Sequence, residues 1–309
     1  MRKLAALSVD LDEIPCYAAI HGIDVPSLKA TTAIYDFAVP RFLELFRAEG
    51  ISATFFTIGR DMAREESADA LRTLAQAGHE IANHSYSHHY DLTRRSLDEI
   101  REDIKRGADE IERVTGKRPV GFRAPGYTIT DTVFEALRDL DIAYDSSVFP
   151  CPSYFAAKSA KIAAITLQGR KSHSIVDDAH VLIAPADPYR VGVPYWKRGS
   201  GMIELPIGVT RDATGRLPYI GTSVVLWGEP AAKQLTRAIA GRPLVNLELH
   251  GIDLADSEMD GLDFLRPHQP DLRKTYAQKA AALRAAIHQL RETGYEFVTC
   301  EEAAREFAA

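Results

Sequence analysis

The chain of 309 residues contains only three cysteines, Cys16, Cys151 and Cys300, which lie far apart. Since no C-x-x-C pair occurs, neither a disulfide framework nor a thiolate zinc site is indicated. Long apolar runs are also missing: no stretch reaches the roughly 18 residues of a membrane span. The six residues from Leu4 to Val9 are too few for the apolar core of a signal peptide. We therefore expect a cytoplasmic protein without a membrane span.

Positive charge is in deficit, because 37 lysines and arginines stand against 43 acidic residues, for a formal net charge of −6. Nonspecific nucleic-acid binding needs a basic face, so we expect no nucleic-acid partner. Neither a G-x-G-x-x-G nor a G-x-x-x-x-G-K-[ST] phosphate loop is present, and no G-x-S-x-G nucleophile elbow occurs. The sequence signatures of these nucleotide-binding and serine-hydrolase classes are thus absent.

Hydrophobic residues make up 46% of the chain and charged residues 26%, which is ordinary globular composition. Apolar runs of strand length alternate with longer segments of helical period. Strands are predicted at residues 4–10, 53–58, 80–83, 119–122, 142–145, 202–205, 244–249 and 295–299. Helices are predicted at residues 34–48, 67–77, 97–115, 132–140 and 271–291.

This alternation of strand and helix predicts an α/β fold with a parallel sheet. The length suits a distorted (β/α) barrel of seven or eight parallel strands better than an open sheet. Residues 149–201 break the alternation with several prolines and the aromatic pair Tyr195-Trp196. We interpret that stretch as an insertion.

Ionisable side chains occur at the carboxyl ends of five predicted strands. They are Asp10 and Asp12, His84 and His88, Arg123, Asp145, and His250. Barrel enzymes build their active sites at this end, because the loops there converge on one face. We therefore expect these side chains to form one site.

His84 and His88 are four residues apart, so on one helical turn or in a tight loop both imidazoles can face one ion. A solvent-exposed turn is the competing interpretation. Asp12 could complete a set of two histidines and one carboxylate, which suits zinc and also cobalt, nickel or iron. Asp10 alternates with Asp12 along the strand and could work beside the ion. The aspartates could instead be helix caps, and His250 a core histidine.

Five segments together resemble the polysaccharide deacetylase family, also called the NodB-homology domain or carbohydrate esterase family 4. They are SVDLD at 8–12, HSYSH at 84–88, FRAP at 122–125, YDS at 144–146 and LELH at 247–250, in the family's order. The sequence departs from the family pattern in three places. Leu11 separates two aspartates that are usually adjacent, and no tryptophan follows Asp145. Gly126 stands where an aromatic residue is usual, and the aromatic residue Tyr127 comes one place later.

The resemblance implies a distorted (β/α) barrel and one catalytic domain over residues 1–309. It also implies a role for each site residue: Asp12, His84 and His88 as metal ligands, Asp10 as general base oriented by Arg123, His250 as general acid held by Asp145, and the backbone near Gly126 and Tyr127 as the oxyanion and substrate contact.

The function implied is metal-dependent removal of an N-acetyl group from an amino sugar or polysaccharide intermediate by metal-activated water. Zinc is the expected metal, with cobalt, nickel or iron as alternatives, and a homo-oligomer is compatible with the sequence. Two other functions stay open. One is an amidase or imidase acting on a small cyclic or linear amide, which the lack of a signal peptide favours. The other is a non-catalytic carbohydrate-binding relative.

Overall fold

The computed structural model describes residues 2–26, 28–176, 178–211 and 216–308. Its strands are β1 Leu4–Asp10, β2 Thr54–Thr57, β3 Glu80–Asn83, β4 Gly121–Phe122, β5 Tyr144–Asp145, β6 Tyr189–Val191, β7 Arg198–Glu204, β8 Leu244–His250 and β9 Glu296–Val298. Its α-helices are α1 Ile14–His21, α2 Val39–Glu49, α3 Glu65–Gln76, α4 Leu97–Thr115, α5 Asp131–Asp139, α6 Pro152–Leu167, α7 Gly221–Leu226, α8 Gly228–Ile239, α9 Tyr276–Glu292 and α10 Cys300–Ala308.

The strands form one sheet in the order β6-β7-β5-β4-β3-β2-β1-β8, and β9 pairs with the first half of β1. All pairings are parallel except that of β6 with β7. The backbone N–H of Gly208, beyond β7, donates to the carbonyl of Asn246 in β8 over 2.9 Å. The sheet thereby curls into a half-barrel surrounded by helices, which confirms the predicted fold class.

β1 is buried along all seven residues, because it has strand partners on both edges and packed layers on both faces. That burial explains why its sequence, LAALSVD, is a nearly continuous apolar run and not an alternating one. The first polar side chain with strong chemistry, Asp10, comes where the strand ends. Burial therefore delivers Asp10 and Asp12 directly to the carboxyl end of the sheet.

The predicted helices are present with shifted ends. The capping box of Ser96 and Glu99 begins α4 as predicted. The predicted helix 34–48 is divided into a π-helical turn, Ile34–Ala38, and α2. Pro40, in the first turn of α2, has no N–H to donate to the preceding turn, so the α-helical ladder cannot run through it. The predicted helix 271–291 begins at Tyr276, after the cap Thr275.

The region 149–201 contains regular structure that the sequence pattern did not predict. It includes α6, β6 and the start of β7. β6 and β7 pair as an antiparallel hairpin at the sheet edge. After α6 the chain returns to α1: the His173 N–H donates to the Ala19 carbonyl over 3.2 Å, and the Arg170 guanidinium donates to the His21 carbonyl over 2.9 Å. Residues 168–176 thus lie against α1, the helix that follows the carboxyl end of β1.

The three cysteines are buried free thiols. Within the described part of the chain, no helix combines the length and apolar character needed to cross a membrane.

Candidate active site and metal centre

The structure brings Asp12, His84 and His88 together. Oδ1 of Asp12 lies 3.4 Å from Nε2 of His84 and 3.2 Å from Nε2 of His88. All three side chains are buried, and their donor atoms lie within 4.8 Å of one another. Among the described residues, Oδ1 of Asp12 and Nε2 of His88 have no hydrogen-bond partner. Buried polar atoms without partners are costly, so this donor set fits a divalent cation bound by two imidazoles and one carboxylate.

A tight loop, and not a helical turn, presents the two histidines. Ser85 and His88 have φ angles of 64° and 52°, in the left-handed region that costs a non-glycine residue about 1–3 kcal/mol. The hydroxyl of Ser85 accepts the His88 N–H over 3.0 Å and holds the turn. Nδ1 of His84 lies 2.7 Å from the Arg123 carbonyl. This contact fixes the ring and leaves Nε2 directed at the centre.

Arg123 is fully buried beside Asp10. Its Nη1 donates to Oδ1 of Asp10 over 2.7 Å, Nε donates to the Ser146 carbonyl over 2.8 Å, and Nη2 donates to the hydroxyls of Ser8 and Ser146. Burial alone would lower the pKa of Arg123, but the carboxylates of Asp10 and Glu248 raise it above its ordinary value. The guanidinium thus occupies one oxygen of Asp10, while Oδ2 lies 3.9 Å from Nε2 of His84 and faces the centre.

His250 is the last residue of β8 and lies opposite Asp10 in the pairing of β8 with β1. Its Nδ1 lies 2.8 Å from Oε1 of Glu248, two residues earlier on the same strand. Asp10, Glu248 and His250 form a second cluster whose polar atoms lie within 4.8 Å of one another. Burial would lower the pKa of His250, but Glu248 and then Asp10 raise it well above its ordinary value. The two carboxylates therefore favour the cationic form of the imidazole.

The role that the resemblance gave to Asp145 is wrong, because Asp145 does not hold His250. Its carboxylate accepts the hydroxyl and the N–H of Ser147, over 2.8 and 3.0 Å. Its neighbour in the sheet is Glu204 of β7, the strand that pairs with β5. Burial raises the pKa of both carboxyls, and the charge of Asp145 raises that of Glu204 further. β7 thus pairs Asp145 with Glu204, and Nδ1 of His250 contacts the acid of its own strand, Glu248.

Gly126 and Tyr127 form a tight turn after β4, with φ angles of 63° and 58°. The Tyr127 hydroxyl lies 3.4 Å from Nε2 of His250. Next to it is a small cavity, which we call the aromatic pocket, lined by Tyr127, Phe149, Tyr154 and Phe155 among others, with a volume of about 40 Å³. The Lys158 ammonium donates to the Gly126 carbonyl over 2.8 Å and fixes the turn beside it. The oxyanion contact assigned to Gly126 stays a prediction.

Sequence reasoning missed Glu248, Ser8 and Ser146. The signal for Glu248 was present: residues i and i+2 of a strand point to the same face, so Glu248 and His250 of the LELH segment had to be neighbours. The contacts of Ser8 and Ser146 with Arg123 join residues far apart in the chain, so no local sequence pattern indicates them.

Comparisons with known proteins give a consistent result. Residues 33–144 match the family model described as polysaccharide deacetylase. A peptidoglycan deacetylase from Helicobacter pylori is 27% identical over 148 residues, which are 47% of this chain and 49% of that protein. The chain thus matches only about half the length of this curated relative.

Two crystal structures are similar to the whole chain. One, described as a polysaccharide deacetylase from Mycobacterium smegmatis, has a TM-score of 0.60 at 20% identity and covers 99% of this chain and 91% of its own. The other, a carbohydrate esterase family 4 pseudoenzyme from Bacillus anthracis, has a TM-score of 0.52 at 16% identity. The match covers 98% of this chain and 66% of the Bacillus anthracis chain. At these identities the likeness concerns the fold.

Proposed function

Since the chain belongs to the polysaccharide deacetylase family over residues 33–144, we propose that it is a metal-dependent hydrolase that removes an acetyl group from the nitrogen of an amino sugar. The proposal treats residues 1–309 as one catalytic domain. The observation that carries it is the meeting of unpartnered, buried donor atoms of Asp12 and His88 beside the Asp10–Arg123 pair. A carboxylate with one free oxygen next to a cation-binding set is the arrangement that hydrolysis of an amide requires.

A divalent ion held by Asp12, His84 and His88 would polarise the amide carbonyl and make water more acidic. Asp10 accepts the proton of the attacking water on Oδ2, while Arg123 keeps the other oxygen occupied. His250 donates a proton to the departing amine, and Glu248 keeps the imidazole cationic for that step. In this assignment Arg123 and Glu248 are positioning residues, and the backbone at Gly126 contributes to the oxyanion hole.

The aromatic pocket is the site that we propose for the acyl group. Its volume of about 40 Å³ is a few times the roughly 10–15 Å³ that, on the same measure, holds one water molecule. It adjoins Tyr127, which contacts His250, so the acyl side of the scissile bond would point into it. A pocket of this size, with the rings of Phe149 and Tyr154 in its walls, suits a small acyl group such as acetyl.

Acetate release from N-acetylglucosamine oligomers tests the proposal. Removal of metal by a chelator should abolish acetate release, and added zinc or cobalt should restore it. Asp10→Asn should lower kcat by about 10²–10⁴, the contribution of a general base, with the metal content unchanged. Full activity of that variant would contradict the assignment of the base.

A small amide or imide is a second candidate, and one observation favours it. Residues 168–176 are held to α1 by His173 and Arg170, and residues 171–173 and 175 form a wall of a cavity that His88 also lines. A wall at that place suits a small substrate better than a polymer, which needs an open groove. Activity on N-acetylglucosamine oligomers compared with activity on cyclic imides and ureides separates the two candidates.

A further inference from the structure

A second cavity is lined by His88 and shares Ile175 with the aromatic pocket. It has a volume of about 620 Å³, large enough for a sugar-sized molecule, and its walls come from α1, the loop after β3 and residues 171–175. His88 lines its inner wall, which places the cavity against the metal ligands. We call it the cationic cleft, after Arg60, Arg94, Arg95 and Lys171, which line it.

The charges of the cationic cleft are poorly neutralised. Among the described residues that line it, Asp91 is the single acid, and it is paired with Arg95 over 3.1 Å. Arg60 lies 3.7 Å from Asp61, outside the lining, and donates to the Ser87 carbonyl.

Arg94 and Lys171 have no ion-pair partner among the residues that the structure describes. The imidazoles of His89 and His173 add further donors to the same walls. In a chain of net charge −6, cations gathered in one concave site repel each other unless an anion occupies it, and such a cleft attracts anions.

The two cavities are neighbours, because Ile175 lines both the aromatic pocket and the cationic cleft. A substrate whose acyl group enters the aromatic pocket can therefore place another of its groups in the cationic cleft, near Arg94 and Lys171.

We propose that the substrate is an anion: an N-acylated compound whose carboxylate or phosphoryl group binds in the cationic cleft at Arg94 and Lys171. This inference rests on the proposed function and adds the substrate class. Arginine and lysine recognise both groups through the same negatively charged oxygens. The experiment must therefore distinguish the two.

The test compares acetate release from three probes: N-acetylglucosamine, N-acetylmuramic acid with its carboxylate, and N-acetylglucosamine 6-phosphate. We expect kcat/KM of the metal-loaded protein to be at least about tenfold higher for one charged probe than for the neutral probe, through KM. The favoured probe identifies the anionic group. The advantage should shrink as salt is raised, because exposed charges are screened.

The double variant Arg94→Gln with Lys171→Gln should reduce the advantage of the charged probe to less than about threefold. The matched control, Lys233→Gln with Arg237→Gln, removes the same charge from the exposed face of α8 and should leave the ratio unchanged. Equal kcat/KM for charged and neutral probes in the unaltered protein would overturn the inference and leave the deacetylase proposal standing.

If none of the three probes releases acetate, the proposed function fails for this substrate class, and calorimetric titration with the same probes decides the inference separately. Tighter binding of a charged probe that is lost in the Arg94, Lys171 double variant would support the cationic cleft. Equal binding of charged and neutral probes, or binding that the double variant retains, would overturn it.

Discussion

Glu248→Gln removes the negative charge that favours the protonated form of His250, and the glutamine side chain has nearly the same volume as the glutamate. At the observed 2.8 Å between Nδ1 and Oε1, and with an effective dielectric constant near 20, the attraction is about 6 kcal/mol before desolvation offsets part of it. Burial acts on His250 in the opposite direction and lowers its pKa. Without the Glu248 carboxylate, only Asp10 and Asp12 oppose the effect of burial, so the imidazole becomes neutral at a lower pH than in the unaltered protein.

The assay is kcat/KM for acetate release between pH 5 and 9. Because Glu248 raises the pKa of His250, the unaltered protein keeps its general acid protonated as pH rises, and the variant loses that proton earlier. We expect the variant to be slower by about 10²–10⁴ at pH 8 and by much less at pH 5. An NMR titration of the His250 imidazole should show the lower pKa directly.

Asp145→Asn is the matched control, since it removes the carboxylate that the family resemblance assigned to His250. Asp145 contacts Ser147 and Glu204, so the alkaline limb of its pH–rate profile should coincide with that of the unaltered protein. If the alkaline limb moves in Asp145→Asn and stays in place in Glu248→Gln, the assignment of Glu248 as the carboxylate that raises the pKa of His250 is refuted.

Metal content and stability test other contacts of the site. His84→Ala should lose bound zinc in elemental analysis, whereas His89→Ala should keep it; equal zinc in both would contradict the ligand set. Arg123→Lys keeps the charge but loses the forked contacts to Asp10 and Ser146, so urea titration should show a loss of about 2–4 kcal/mol in the free energy of unfolding. Burial raises the pKa of Glu204 above its ordinary 4.5, so the folded state holds a proton that the unfolded state releases, and stability should fall as pH rises above that value. Glu204→Gln should flatten the fall of Tm between pH 5 and 8, and an unchanged slope would place the titrating group elsewhere.

The position of the site could be predicted from the sequence because parallel strands end on one face. Asp10 and Asp12 follow an apolar run, and His84 and His88 follow a short, largely buried strand, so the ends of both strands place these polar residues at one edge of the sheet. That argument needs only local pattern and the topology of an α/β fold.

Other parts could not be predicted, for physical reasons that differ. α6 buries only Ile165 along its length, so its sequence has no apolar stripe from which to recognise a helix. The partner of Asp145 depends on which strand lies next to β5, and Glu204 is far away in the chain. Glu248 was missed because the role was sought at the family's usual position, although the two-residue period of β8 already placed it beside His250.

The pairing of β1 also has a consequence for biosynthesis. Leu4 lies opposite Leu244 and Glu296 in the sheet, so β1, which ends at Asp10, is synthesised long before two of its partner strands, β8 and β9. Closing a loop of that span costs about 5 kcal/mol of chain entropy, and His250 arrives with β8, the earlier of these two partners. A nascent chain can therefore gather the loop histidines early, but it gains its proton donor only when β8 has been synthesised.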